Sequence, residues 1–534
     1  MQKILLLLFI LFGLETLGQK ILTQKVIDDK KIGKVNPLYS AKSISPTTAK
    51  FLIELKAINA LPISNDAFKR QKSTAENNFI QKFDLIVKDG TNLVSVFLLV
   101  DENFSLADIQ GLGFRSENLG KKVITGLVPI ENVEAVANHP NVKYLSIGQH
   151  VDLMMDSTRN KTRTDLVHQG FQLPQGYFGN GVVVGIIDQG FDYTHPNFYD
   201  NTGTNGYRVK RVWEQMSGSG TPPGGFAYGR ELTTQSQILN AQYDLPNESH
   251  GTHVAGIAVG SGGGIGTKYA GIAPQADIVL VSASGNDVRL FDGITYIMNY
   301  AVSVNKPCVI NLSWGSHYGP HDGSSIFDQA CNDAVGPGRI IVGSAGNSGQ
   351  NPIFLSKSFS STDTVLFSFL EFPFSSITTN GKARIDIWGV PNQNFIFAVN
   401  IYNTATNQFE DYTNYYSANG AGTFSETLFD DDLIPDACYV TFSREVSPLN
   451  NKPHVFIDID NSEQDDEFRH VLIEILGKNT QSKAWLLESD ARFSSRGFTG
   501  VLDGSTNSTV TEIGGTGNSI ISVGAFTSKN TYVA

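Results

Sequence analysis

The sequence predicts an α/β chain: a doubly wound parallel-sheet domain interrupted by an all-β sandwich insert and preceded by a small α+β unit. Three observations carry this. Continuous apolar runs alternate with helical patterns between residues 181 and 345, as in parallel strands buried on both faces. From 350 to 512 the texture changes to short, aromatic-rich, alternating strands separated by polar turns. The buried-strand texture then returns in Ser519-Ile-Ile-Ser-Val-Gly-Ala525, so the β module interrupts the α/β domain instead of following it.

The elements follow in order. Met-Gln-Lys and the apolar run Ile4–Gly13 form a basic start and a short hydrophobic core, the pattern of a secretory signal peptide over 1–19. The run is shorter than the roughly 20 apolar residues a membrane span needs, and no later window is apolar enough to span. Residues 20–155 form a leading region. It has helical spacing over Thr47–Ala60 and a core over about 93–150 that reads strand (93–100), helix (106–112), strand (122–128), helix (130–138), strand (142–147). This order suggests a ferredoxin-like α+β unit. Asp156–Arg163 is a polar linker. The α/β domain occupies 156–349, with strands at 182–187, 278–281, 308–312 and 340–342 and helices at 250–259, 290–304 and 325–335. Strands at 365–370, 383–388, 395–401, 438–442, 454–459 and 471–476 form the insert, 350–512, and the domain resumes at 513–534.

The net charge of −12 gives no overall attraction to nucleic acid or anionic lipid. Three widely spaced cysteines, Cys308, Cys331 and Cys438, make no disulfide framework in a chain expected to be exported to the outside or the cell surface. Cys308 lies in an apolar run and reads as a small buried side chain.

Three stretches carry chemistry. In Val184-Gly-Ile-Ile-Asp-Gln-Gly190, Asp188 ends a buried strand, where ligands and catalytic groups collect in open α/β sheets, although taken alone a turn or cap role suits it better. In Glu248-Ser-His-Gly-Thr-His-Val-Ala-Gly-Ile-Ala258, His250 and His253 lie at i, i+3 on a helix and could share one metal. Neither the i, i+4 spacing nor the intervening Glu of the usual helical zinc pair is present. The small residues between them let the first helical turn pack closely, free His250 to face a neighbouring strand, and leave His253 to pack. In Val342-Gly-Ser-Ala-Gly-Asn-Ser-Gly349, a strand ends in glycines with Asn347 at the tip, suited to an oxyanion or to a plain turn.

Together, and in this order, these stretches resemble the subtilase family of serine proteases, along with Gly271-Ile-Ala-Pro274, Val309-Ile-Asn-Leu-Ser-Trp-Gly315 and Ile521–Ala525. The resemblance implies a doubly wound subtilisin-like domain in which Asp188 orients the imidazole, His250 is the general base and Asn347 supplies an oxyanion donor. It implies that Ser313, Trp314 and Gly315 bind substrate, with Trp314 hinting at a bulky pocket rim, and that His195 and His253 are structural. It further implies protein or peptide substrates, a propeptide that blocks the cleft and is cut within about 150–164, and a jelly-roll-like insert. No cofactor is required. The clusters Asp430-Asp-Asp432 and Glu463-Gln-Asp-Asp466 leave room for structural calcium but read better as solvated loops.

The family's nucleophile sits in a Gly-Thr-Ser-Met-Ala type motif after the late strand, and no such serine stands before Ala534; the nearest look-alike, Gly515-Thr-Gly517, has Gly in its place. The expectation is a secreted zymogen of a serine endopeptidase whose serine lies in sequence following Ala534. The alternatives are a catalytically inert binding protein that uses its β insert, and a metal hydrolase built on Asp188, His250 and His253.

Overall fold

The computed structural model describes residues 20–21, 44–61, 72–119 (apart from 74, 77, 78, 81, 82, 84 and 89), 122–148, 152–153, 162–263, 269–372, 381–429, 437–462, 468–487 and 491–525. The signal-peptide segment, Met155 and both acidic clusters lie outside these residues. Two compact units emerge: Tyr39–Asn347 with Val510–Ala534, and Met1–Leu38 with Ser348–Thr509.

In the larger unit, alternating apolar runs and helices build a seven-stranded sheet, as the sequence predicts. Its strands are β1 (Val183–Asp188), β2 (Val209–Glu214), β3 (Arg230–Leu232), β4 (Asp277–Ser282), β5 (Cys308–Leu312), β7 (Arg339–Ser344) and β8 (Ile520–Val523), in the order β3-β2-β4-β1-β5-β7-β8. A separate two-residue strand, β6 (Trp314–Gly315), extends the line of β5. All neighbours in the sheet run parallel except β3 against β2. Every residue of β1 is buried, which explains its uninterrupted apolar run. Helices α1 (His250–Val259), α2 (Asp287–Ser303) and α3 (Ile326–Ala334) cover the sheet. Asn286 and Ser325 cap α2 and α3 through their side-chain oxygens. The sequence reading missed β2: its Val-Lys-Arg-Val-Trp-Glu run looks polar because Lys210 and Arg211 extend to Asp277 and Glu231.

The leading region of this unit has a sheet of Ile86–Lys88, Thr91–Val100, Arg115–Leu119, Val123–Pro129 and Val142–Ile147, with helix Pro46–Asn59 contributing Phe51, Leu52 and Leu55 to its core. This sheet packs on α2: Phe97 meets Phe291 at 6.1 Å between ring centroids, and the Thr125 hydroxyl donates to Asp292.

The smaller unit is a pair of antiparallel sheets. One runs Phe354–Phe359, Thr480–Leu486, Lys382–Trp388, Pro453–Asp460, Ala437–Val446, Gly422–Phe429; the other runs Gln408–Tyr412, Phe395–Asn403, Arg469–Gly477, Val365–Glu371, Arg492–Ser494. Ile385, Ile387, Phe442 and Ile457 of the first meet Phe397, Val399, Ile473 and Ile475 of the second in one core. His454 is enclosed within the first sheet: Nε2 lies 2.5 Å from Asp386 Oδ1, Nδ1 lies 3.1 Å from Glu445 Oε1, and the Trp388 ring stacks on it at 3.9 Å.

Candidate active site

The register places the ends of β4, β1, β5 and β7 at one level. Ile187 pairs with Val281 on one side and Leu312 on the other, and Leu312 pairs with Gly343. Asp188 and the end of β7 therefore flank β5 at about 10 Å, two strand spacings. The segment after β5 and the turn after β7 leave from the same sheet edge.

Asp188 is fully buried at this edge. Its Oδ1 accepts from the Gln189 backbone N–H at 2.8 Å and lies 2.7 Å from His250 Nδ1. Burial pushes the Asp188 carboxyl up, while the hydrogen bond to His250 pulls it back. The same hydrogen bond raises the His250 imidazole above its ordinary value against partial burial, with added help from the charges of Asp188 and Glu248. An ionised carboxylate only accepts, so Nδ1–H donates and Nε2 is left with its lone pair. The His250 side chain keeps 23% exposure, so the imidazole is not sealed from solvent.

His250 opens α1, and the orphan donors of that helix hold it to the turn after Asp188: Gly251 N–H donates to Gln189 O at 2.6 Å and Thr252 N–H to Gly190 O at 3.0 Å. Gly190 has φ +79°, and a Cβ there would stand 2.7 Å from Ser249 N, so only glycine lets the two chains approach this closely.

His253 is a correction. The sequence reading sends it into packing, but α1 buries Gly251, Val254, Ala255 and Val259 and leaves His253 exposed. It does not join Asp188 and His250, and among the described residues no three His, Cys, Asp or Glu side chains converge on a metal position. His253→Ala is expected to change unfolding free energy by less than about 0.5 kcal/mol, measured by urea denaturation. His195 is local structure: its Nδ1 accepts from Asn197 N–H at 3.2 Å.

Trp314 is a second correction. Its indole is 2% exposed and donates to Ile187 O at 2.9 Å, so it lies beneath the sheet edge and forms no rim. Ser313 is buried too, its Oγ accepting from Asn311 Nδ2 at 3.0 Å. What this segment offers outward is backbone, and β6 pairs antiparallel with Asp152–Leu153, Trp314 opposite Leu153 and Gly315 opposite Asp152. Asn347 is exposed in the turn after β7.

Sequence reasoning missed the floor between these walls. Thr511 N–H donates to Ala345 O at 3.1 Å and Glu512 N–H to Ser316 O at 2.7 Å. Gly514 packs so close that a Cβ on Gly343 would stand 2.0 Å from its oxygen. Behind this floor the Glu512 and Asp328 carboxyls are buried side by side. Burial, then the charge of Asp328, pushes Glu512 well above the carboxylate range. Burial also raises Asp328, up to about 6. Glu512 Oε2 accepts from Thr516 Oγ1 at 2.9 Å. Its only sequence signal is a Glu beginning a glycine-rich approach to the late strand.

Residues 179–427 match the Subtilase family model. The chain is 31% identical over 219 residues to Subtilisin-like protease SBT2.1 of Arabidopsis thaliana, covering 36% of this chain and 25% of that protein. It is 30% identical over 190 residues to thermitase of Thermoactinomyces vulgaris, covering 34% and 54%, and 25% identical over 316 residues to subtilisin of Bacillus sp. (strain TA39), covering 57% and 65%. These alignments thus span between a quarter and about two thirds of each relative's length. Among solved structures, the CspB protease of Clostridium perfringens shares the fold, with a TM-score of 0.53 at 20% identity over 69% of this chain and 73% of that one.

Proposed function

We propose that this chain, whose residues 179–427 match the Subtilase family model, carries a subtilisin-like serine protease domain and is the zymogen of an exported serine endopeptidase. The observation that carries the reading is the 2.7 Å hydrogen bond between a fully buried Asp188 and an accessible His250 at the C-terminal edge of a parallel sheet. His250 Nε2 takes the proton of an attacking serine and returns it to the leaving amine, and Asp188 holds the tautomer and stabilises the imidazolium. Asn347 donates to the developing oxyanion. A peptide substrate lies antiparallel along β6, in the place Asp152–Leu153 now takes. The reading requires a serine nucleophile, which the Gly-Thr-Ser-Met-Ala type motif does not supply within residues 1–534. The signal-peptide pattern of residues 1–19 supports export.

A fluorophosphonate probe tests this. In protein expressed from the extended reading frame it should label one serine, and His250→Ala should abolish that labelling. Absence of any labelled serine in a folded, extended protein overturns the reading.

The leading region acts as the propeptide, and its docking on α2 depends on pH. Asp292 is fully enclosed between Thr125, Tyr228 and Arg289. Burial holds its carboxyl up at about 7, while the hydrogen bonds from Thr125 and Tyr228 and the Arg289 charge pull it down. Undocking exposes this group and returns it toward the ordinary carboxylate value, so docking takes up a proton. Affinity is complete below the ordinary value, weakens as pH rises through the acidic range, and levels off above about 7. Titrating the separated leading region onto the rest of the protein at pH 5 and pH 8 should show tighter binding at pH 5, and Asp292→Asn should flatten the difference.

A further inference from the structure

We propose that Asp244 is a positioning residue of the Asp188–His250 pair, a role that rests on the protease reading of that pair. The half-buried Asp244 carboxylate collects four donors. Oδ2 accepts from Gly190 N–H at 3.0 Å and Ser282 Oγ at 2.6 Å. Oδ1 accepts from Phe191 N–H at 2.6 Å and Leu245 N–H at 2.8 Å. These donors come from the turn that follows Asp188, from the loop that leads to His250, and from the end of β4. Ser282 is the register partner of Asp188 itself.

The geometry gives this side chain a specific task. Asp188 ends β1, and its Oδ1 contacts depend on where the chain goes next, through Gln189 and Gly190. His250 reaches Asp188 from a different segment, after the exposed residues 246–249. Two seams join the segments. One is the first turn of α1 on Gln189 and Gly190. The other is a short ladder in which Tyr193 N–H donates to Gln242 O at 2.7 Å and Asp244 N–H to Phe191 O at 3.3 Å, and Asp244 ends that ladder. An exposed linker of this length does not fix the start of α1. A carboxylate bonded to both segments and to β4 does. Backbone N–H groups cannot turn away from a lost acceptor, so replacing one oxygen by NH₂ sets donor against donor and forces the turn to shift. Because Asp188 and His250 meet through one hydrogen bond, a small shift of the turn is read directly at Nδ1. Asp244 also faces the pair electrostatically, since it is among the charges that raise the Asp188 carboxyl.

The test uses residues 1–534 with ¹⁵N-labelled histidine and needs no nucleophile. In the parent chain His250 should titrate above the ordinary imidazole value and show a low-field Nδ1–H resonance. Asp244→Asn should move the midpoint down toward the ordinary value and weaken or abolish that resonance, with far-UV circular dichroism unchanged. Ser282→Ala, which removes one donor and no charge, should shift both in the same direction by a smaller amount and so reports geometry alone. A merely structural role lowers the melting temperature and leaves the His250 titration where it was; that result in folded Asp244→Asn overturns the proposal. If Asp244→Asn does not fold, an unchanged His250 titration in Ser282→Ala overturns it instead. Failure of fluorophosphonate labelling counts against the protease reading and leaves this titration to decide the role of Asp244.

Discussion

Asp188→Asn is expected to lower kcat by about 10⁴-fold in the protein that carries its serine, with KM little changed. The reason is the tautomer. The Asp188 carboxylate accepts from Nδ1–H at 2.7 Å. An amide at the same place fits equally well with its NH₂ donating to Nδ1, and the imidazole proton then sits on Nε2, where it blocks the base. The change also removes the negative charge that raises the imidazole, so the imidazolium formed during attack loses its support. Steady-state kinetics on a peptide substrate read the loss, and His250→Ala, which removes the base itself, should lower kcat further, by about 10⁶-fold. A loss below tenfold in a folded Asp188→Asn protein would remove Asp188 from the mechanism.

The second large effect lies in the β insert. His454 is enclosed with Asp386, which is fully buried, and Glu445, which is 8% exposed. Burial alone would lower the imidazole, but the Asp386 and Glu445 carboxylates outweigh it and hold it up at about 9. His454→Ala removes the cation from between the two carboxylates, while the Trp388 indole N–H still donates to Asp386 at 2.6 Å. Breaking a buried pair in this way costs about 3–5 kcal/mol. Urea denaturation followed by tryptophan fluorescence measures it. The same group gives the parent protein a pH signature. Its folded value lies above its unfolded one, so its contribution is complete below the ordinary imidazole range and disappears as pH rises through about 9. In His454→Ala that alkaline loss should be absent.

Much of the α/β layout was legible in the sequence because a strand buried on both faces has to be apolar throughout. Val183–Asp188 is buried along its whole length, and Cys308–Leu312 carries a similar apolar texture although its burial alternates. Val209–Glu214 and the edge strand Gly422–Phe429 escaped because they mix polar and apolar residues, and their polar side chains are satisfied by neighbours that pattern alone cannot supply. The site was legible as residue types, not as directions. Asp188 and His250 stood out through the resemblance to the subtilase family, which their motifs carry together and not singly. The indole of Trp314 and the imidazole of His253 were assigned to the wrong side, since a motif states what is present and tertiary packing decides which way it faces. Asp244 gave no signal: in Tyr243-Asp-Leu-Pro-Asn247 it reads as one more polar loop residue, and its four donors come from three separate segments.

The pairing of Asp152–Leu153 with Trp314–Gly315 joins two parts of a single polypeptide. On the propeptide reading proposed above, this strand is a tethered competitor, which acts at an effective concentration on the order of millimolar whatever the amount of protein in solution. Dilution therefore cannot switch the uncut chain on. Once the tether is cut, the same strand becomes an ordinary dissociable ligand, and its hold falls with every further dilution. For the proposed zymogen, scission followed by escape into a larger volume is the step that would turn a latent molecule into a working one.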